Sequence, residues 1–159
     1  MPNAIRPAIP ADLGPLAGLW HDGWHESHAA HVPDGLVRQR TLATFEARLG
    51  RYGDRLRTAG PVGAPLGFCV VTEDEIDQLF VAPEARGTGL AEALLADGEA
   101  RLAASGIREA HLLCLPENRR AVSFYERMGW TDHGVSVRTV EIEAGGFPLP
   151  VSVFRKTLF

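Results

Sequence analysis

The sequence predicts a mixed α/β domain, of α/β or α+β class, with a central sheet of about six to seven strands flanked by about four helices. Three observations predict it. Stretches with apolar residues at three- and four-residue steps alternate along the chain with short apolar runs. The changes of period fall at Gly or Pro clusters. The length, 159 residues with 45% in the hydrophobic set and 23% charged, fits one domain over 1–159. A chain of this size buries roughly 68–70% of its unfolded surface, so its core needs no metal or disulfide staple.

Taken in order, Ile5 to Ile9 is a short apolar run read as a first strand, at a sheet edge because Pro7 removes a ladder donor. From Asp12 the pattern turns helical, with Leu13, Leu16, Ala17, Trp20 and Trp24 on one stripe. Pro33-Asp34-Gly35 separates this helix from a second, over Leu36 to about Arg51, with Leu42, Phe45, Ala47 and Leu49 as candidate core. Leu66–Val71 and Ile76–Val81 read as strands joined by Thr72-Glu73-Asp74, which predicts an antiparallel hairpin ended by Pro83. Arg86-Gly87-Thr88-Gly89 opens a helix whose buried stripe is Leu90, Leu94, Leu95 and Leu102 and which Ser105-Gly106 closes. A strand over Ala110–Leu115 and a helix over Asn118–Met128 follow, with a break at Gly129. Trp130–Val140 and Val151–Leu158 read as a last strand pair, linked by a Gly145-Gly146-Phe147-Pro148 loop. The predicted order is β-α-α-β-β-α-β-α-β-β.

Charge and composition exclude several classes of function. The net charge is −4, and fifteen of the sixteen basic residues are Arg, Lys156 being the one lysine. A net-acidic chain without a Lys/Arg run is a poor general nucleic-acid binder. No apolar stretch approaches the roughly 18–20 residues of a membrane span, and Met1–Pro10 does not resemble a secretory signal. Cys69 and Cys114 are too few and too isolated for a disulfide framework or a zinc site. These features, with a Gly-, Ala- and Pro-rich composition typical of high-GC genomes, predict a soluble cytoplasmic bacterial protein.

The turn Arg86-Gly87-Thr88-Gly89-Leu90-Ala91 is the most informative segment. Unpaired N–H groups at a helix N-terminus bind phosphate, two glycines let the backbone approach it, and Arg86 adds a fixed charge. A Walker loop needs Gly-Lys-Ser/Thr where Gly89, Leu90 and Ala91 stand, and a dinucleotide loop needs a third small residue where Glu92 stands, so both fail. Taken alone, the motif is equally a turn that needs glycine for its geometry.

The run Ile76 to Ala91 resembles the acetyl-CoA signature of the GNAT N-acetyltransferase superfamily, Arg/Gln-x-x-Gly-x-Gly/Ala, here Arg86 to Ala91. Asn118-Arg119-Arg120-Ala121-Val122-Ser123-Phe124-Tyr125-Glu126-Arg127-Met128-Gly129-Trp130 resembles the second family motif, with Trp130 in place of the usual Phe. The resemblance implies the acyl-CoA N-acyltransferase fold over the whole chain. It also implies acetyl transfer from acetyl-CoA to a primary amine of a small molecule or a peptide, by direct attack through a tetrahedral intermediate and with no metal. A homodimer is compatible with it.

By the same resemblance, the pantetheine arm of the cofactor lies between the strands Glu75–Val81 and Ala110–Leu115. Main-chain groups near Leu79 and Val81 pair with it, and a bulge near Leu79–Phe80 aims an N–H at the thioester oxygen. Such a donor is typically worth on the order of 10²–10³ in rate. Arg86, Gly87, Thr88, Gly89, Leu90 and Ala91 hold the pyrophosphate. Tyr125 is the implied general acid, since a phenol with a pKa of about 10 is protonated at neutral pH, although an aromatic packing beside Phe124 fits the same position. Asn118 is an N-cap, a pantetheine contact, or both; Arg119 and Arg120 either meet the adenosine phosphates or stay solvated.

Glu75 is the candidate base, with Asp77 second and water the remaining acceptor. Strand alternation puts Glu75, Asp77 and Leu79 on one face unless a bulge intervenes. The acceptor site falls to the first helices and the last strand pair. His21, His25 and His28 share a helix face near His31, and His21-x-x-x-His25 has chelating spacing, but the expectation is a polar face with no metal. Trp20 and Trp24 are read as core, Cys114 as a small buried hydrophobe, and His111 and His133 as unremarkable. A non-catalytic acyl-CoA-binding sensor and a transferase of a larger acyl group fit the same motifs.

Overall fold

The structure, a computed structural model, describes residues 4–159; the first three residues of the Met1–Pro10 stretch lie outside them. The chain runs β1 (Ile5–Pro7), α1 (Pro10–His28), α2 (Asp34–Gln39), α3 (Leu42–Tyr52), β2 (Leu56–Ala59), β3 (Gly67–Thr72), β4 (Glu75–Val81), α4 (Leu90–Ala104), β5 (Glu109–Cys114), α5 (Arg119–Arg127), β6 (Thr131–Ile142) and β7 (Gly145–Thr157). The strands form one seven-stranded sheet in the order β1-β2-β3-β4-β5-β7-β6. Neighbours are antiparallel except β4 and β5, which are parallel.

Helices cover both faces of the sheet. On one face α1 and α3 bury Leu16, Trp20, Phe45 and Leu49 against Phe68 and Val70. On the other, α4 and α5 bury Leu94, Leu102 and Val122 against Cys69, Ile76 and Phe154. Contact is close on both sides. A Cβ at Gly98 of α4 would stand 2.9 Å from Ile76 Cδ1, and one at Gly23 of α1 would stand 2.9 Å from Phe80 Cδ1. The N-terminus of α1 is anchored by Asp12, fully buried, which takes two hydrogen bonds from Arg6 and one each from the Ile9 and Gly63 N–H groups.

The structure departs from the sequence expectations at several places. The strand β2 is absent from the predicted order, because Leu56-Arg57-Thr58-Ala59 is short and half polar. The single helix expected over Leu36–Arg51 is two, and Asp34 and Gly35 belong to the first of them. They part at Arg40, and the Thr41 hydroxyl caps α3 by accepting from Thr44 N–H at 3.2 Å. The stripe of α3 is consequently Phe45, Arg48, Leu49 and Tyr52, while Leu42 and Ala47 face solvent. The expected Gly145–Pro148 loop is the start of β7, with Glu143-Ala144 as the turn. Pro148 and Pro150 are tolerated there because β7 has only β6 as partner until β5 joins at Ser152.

Candidate active site

The parallel pair β4–β5 is joined at a single register position, Glu75 opposite His111. Beyond it the strands diverge, since β5 continues along β7, and a wedge opens between them. Ala82 N–H donates to Leu66 carbonyl at 2.8 Å, so antiparallel alternation turns Phe80 and Gln78 main-chain groups toward β3 and those of Leu79 and Val81 toward the wedge. The bulge in this strand is not at Leu79–Phe80. Val70 faces Gln78 while Val71 faces Ile76, which makes Asp77 the extra residue. Asp77 and Gln78 therefore both border the cavity on the α1/α3 side with Glu75, whereas Leu79 packs on the α4 side. The expected common face of Glu75, Asp77 and Leu79 does not exist.

At the wide end of the wedge lies the glycine-rich turn. Gly87 (φ 77°) and Gly89 (φ 85°) take left-handed backbone, which glycine adopts without strain. Gly89 is the N-cap of α4, and the N–H groups of Leu90, Ala91 and Glu92 have no acceptor among the described residues. The Thr88 hydroxyl is turned back onto Ala85 carbonyl at 2.5 Å. Arg86 is held by Glu26 of α1, 3.2 Å from each carboxylate oxygen, and Arg120 approaches the same group at 3.5 Å. The hydrogen bond from Arg86 keeps the Glu26 carboxyl below its ordinary range. Arg119 turns away, to the Pro116 carbonyl. Asn118 is the N-cap of α5 but its side chain makes no capping bond, and it lines the cavity instead.

That cavity, about 410 Å³, runs from Arg86, Gly87 and Ala91 past Asn118 to Tyr125 and Cys114. The Tyr125 ring stacks edge-on toward Trp130 at 6.4 Å and lies 6.1 Å from Phe154, and its hydroxyl has no hydrogen-bond partner among the described residues. Burial raises its pKa well above the ordinary phenol value, so it holds its proton at neutral pH. Cys114 is a buried free thiol, and burial pushes its pKa up to about 12.

A second cavity, about 490 Å³, lies on the α1/α3 side of the wedge. It shares His28, Asp77, Gln78, Leu113 and Leu115 with the first, so the two meet at the splay. Burial, then the charges of Asp77 and Asp74, push the Glu75 carboxyl up to about 8. Burial also raises Asp77. His111 Nε2 lies 3.5 Å from Glu75 and its Nδ1 3.4 Å from Asp74, which makes His111 part of the site and not the unremarkable strand residue the sequence suggested. Arg40, Arg48, Arg138 and Glu141 also line it, among apolar residues such as Leu36 and Val151. One sequence signal for Arg48 existed: it falls on the buried stripe of α3.

His25 and His28 of α1 pack against their neighbours, and His28 also lines both cavities. His25 Nε2 lies 2.8 Å from the Arg40 carbonyl, and His28 stacks on Trp24 with ring centroids 5.1 Å apart. Burial lowers the His28 pKa to about 4. Among the described residues no group of three His, Cys, Asp or Glu is placed to share a metal ion. Trp20 is fully buried and Trp24 nearly so, as expected for core.

Residues 24–130 match the Acetyltransferase (GNAT) family. The chain is 39% identical over 71 residues to a mycothiol acetyltransferase of Streptomyces griseus, covering 43% of this chain and 23% of that protein. It is 32% identical over 87 residues to the peptidyl-lysine N-acetyltransferase YjaB of Salmonella typhimurium, covering 55% of this chain and 54% of that one. The matched stretch thus spans about a quarter of the first relative and about half of the second. A GCN5-related N-acetyltransferase from Rhodopseudomonas palustris superposes with a TM-score of 0.75 at 23% identity, over 99% of this chain and 96% of that chain.

Proposed function

The chain belongs to the GNAT acetyltransferase family, and from that premise we propose that it moves an acetyl group from acetyl-CoA to a primary amine of a small molecule or peptide. The observation that carries the proposal is the meeting of two cavities at one splay, one bearing the phosphate-loop geometry and Tyr125, the other bearing Glu75 and Asp77. Bound there, the thioester supplies an activated acyl carbon. The free N–H groups at the start of α4 and Arg86 fit its pyrophosphate. The Leu79 and Val81 main chain and the Asn118 side chain fit the pantetheine arm, with Phe80 behind it and Arg120 at its outer end.

Within this frame Glu75 takes the proton of the amine and Tyr125 gives one to the leaving sulfur. Their environments suit those directions: a carboxyl near 8 is an effective base around neutral pH, and a phenol whose pKa is raised above its ordinary value keeps a proton to give. Incubation with acetyl-CoA and a panel of amines, following thiol release, tests the proposal. Tight acetyl-CoA binding with no turnover of any amine would replace it with a sensor.

We place the reaction in the bacterial cytoplasm, where the buried free thiols of Cys69 and Cys114 stay reduced. A homodimer is also proposed. Its support is the outer strand β6, which exposes 61% of Val135 and 66% of Val137 at the sheet edge.

A further inference from the structure

Resting on this acetyl-transfer reading, we infer that the acceptor carries an oxyanion beside its amine, and that Arg40 and Arg48 seat that oxyanion in the α1/α3-side cavity. The amine end then lies toward Glu75 and Asp77, at the splay the two cavities share.

Arg40 is 4% exposed and Arg48 8% exposed, and both line the cavity. Buried guanidinium groups are ordinarily paired, because an isolated charge away from water is costly. These two are not. Among the described residues Arg40 donates one side-chain hydrogen bond, from Nη1 to the Glu141 main-chain carbonyl at 2.5 Å, and its buried Nε has no partner. A carbonyl oxygen carries no charge to neutralise it. Arg48 lies 4.4 Å above the Trp20 ring. Its Nε is 3.7 Å from a Glu141 oxygen, beyond hydrogen-bond reach, and is likewise buried without a partner. Glu141 itself is already engaged by the more exposed Arg51.

Two buried arginines therefore share a fraction of one carboxylate. Asp77 is near enough for Arg48 to act on it electrostatically, but no ion pair within 4 Å joins it to either arginine. Asp77 instead contacts the Gln78 amide, at 3.4 Å. The cavity thus offers two guanidinium groups, Arg40 and Arg48, and two carboxyl groups, Glu75 and Asp77, with no direct bond between the two pairs, while Arg138 acts on Glu75 electrostatically. A ligand with an oxyanion at one end and an amine at the other complements both. The planar guanidinium fork suits carboxylate and phosphate alike.

The test follows thiol release at saturating acetyl-CoA with matched acceptors, compared at equal concentrations of neutral amine. One arm sets 4-aminobutanoate and several α-amino acids against their carboxamides. The other sets phosphoethanolamine against ethanolamine, and so separates phosphate from carboxylate. The anionic member of a pair should lead in kcat/KM by roughly ten- to hundredfold, mainly through KM. Arg48→Met should cut that ratio about fivefold or more, and Arg48→Lys should restore part of it. Turnover in which neutral partners equal or exceed the anionic ones overturns the inference and leaves the acetyltransferase reading standing. Absence of turnover with every amine removes both. Should Arg48→Met fail to fold, the wild-type ratio alone decides.

Discussion

The Glu75 carboxylate lies 3.5 Å from Nε2 of His111, and the same two residues are the one register pair that joins β4 to β5. The side chain that would accept the amine proton is therefore fixed by the backbone feature that opens the wedge. A change in strand pairing here would move the base and the cavity together. Burial, then Asp77, Asp74 and Glu73, press its proton affinity upward, Arg138 presses it downward, and the His111 ring stands beside it.

With Glu75 pushed up to about 8, the active, ionised form grows in as pH rises through that value. The rate should climb over the same interval. An acceptor whose own amine is already neutral below pH 7 isolates this limb. Glu75→Gln should lower kcat/KM by roughly 10²–10⁴ and abolish the limb. A surviving limb near pH 8 in the variant would show that the limb does not belong to Glu75 and would remove its base role.

The same group makes a stability prediction of opposite sense. A carboxyl whose folded pKa lies above its ordinary value of 4.5 binds more protons folded than unfolded between 4.5 and about 8. Its ionisation therefore costs nothing below that window, costs progressively more through it, and costs a constant amount above it. Wild type should lose stability relative to Glu75→Gln as pH rises from 5 to 8, and the gap should then hold steady. Urea midpoints across that range measure it. A variant less stable than wild type at pH 9 would contradict the burial argument.

Tyr125→Phe separates chemistry from packing. The ring contacts with Trp130 and Phe154 survive the substitution, and the hydroxyl lost has no hydrogen-bond partner among the described residues. Thermal stability should hardly move. Turnover should fall by roughly 10²–10⁴ if the phenol protonates the leaving sulfur. Unchanged turnover would leave Tyr125 as a packing residue of α5.

Local features of the site are readable from the sequence because they are written locally. Gly87 and Gly89 permit the positive φ that the turn takes, and the Asn118-to-Trp130 motif is one contiguous helix and turn. The α1/α3-side cavity is different. Arg40 sits in a break between α2 and α3 that the apolar period runs straight across, and Glu141 reaches it from a strand 101 residues away. His111 acquires its partners only when β4 and β5 pair. Likewise the bulge at Asp77 is a property of the β3–β4 register, so no pattern within β4 alone places it.

Glu26 supplies the remaining prediction. It bridges α1 to the phosphate loop, taking hydrogen bonds from Arg86 to both oxygens and one from Arg120. An incoming pyrophosphate must compete with that carboxylate for Arg86, and the competition is electrostatic, since Glu26→Gln keeps the size and a hydrogen-bonding oxygen but removes the charge. Both partners are more than a third exposed, so the effect is small: acetyl-CoA should bind about two- to fivefold more tightly to the variant. The gain should shrink as salt screens it. Calorimetric titration of wild type and Glu26→Gln at low and high ionic strength reads both quantities. Weaker binding by the variant would instead make Glu26 the residue that holds Arg86 in position for the phosphate, because the loss of its grip would then outweigh the loss of its charge.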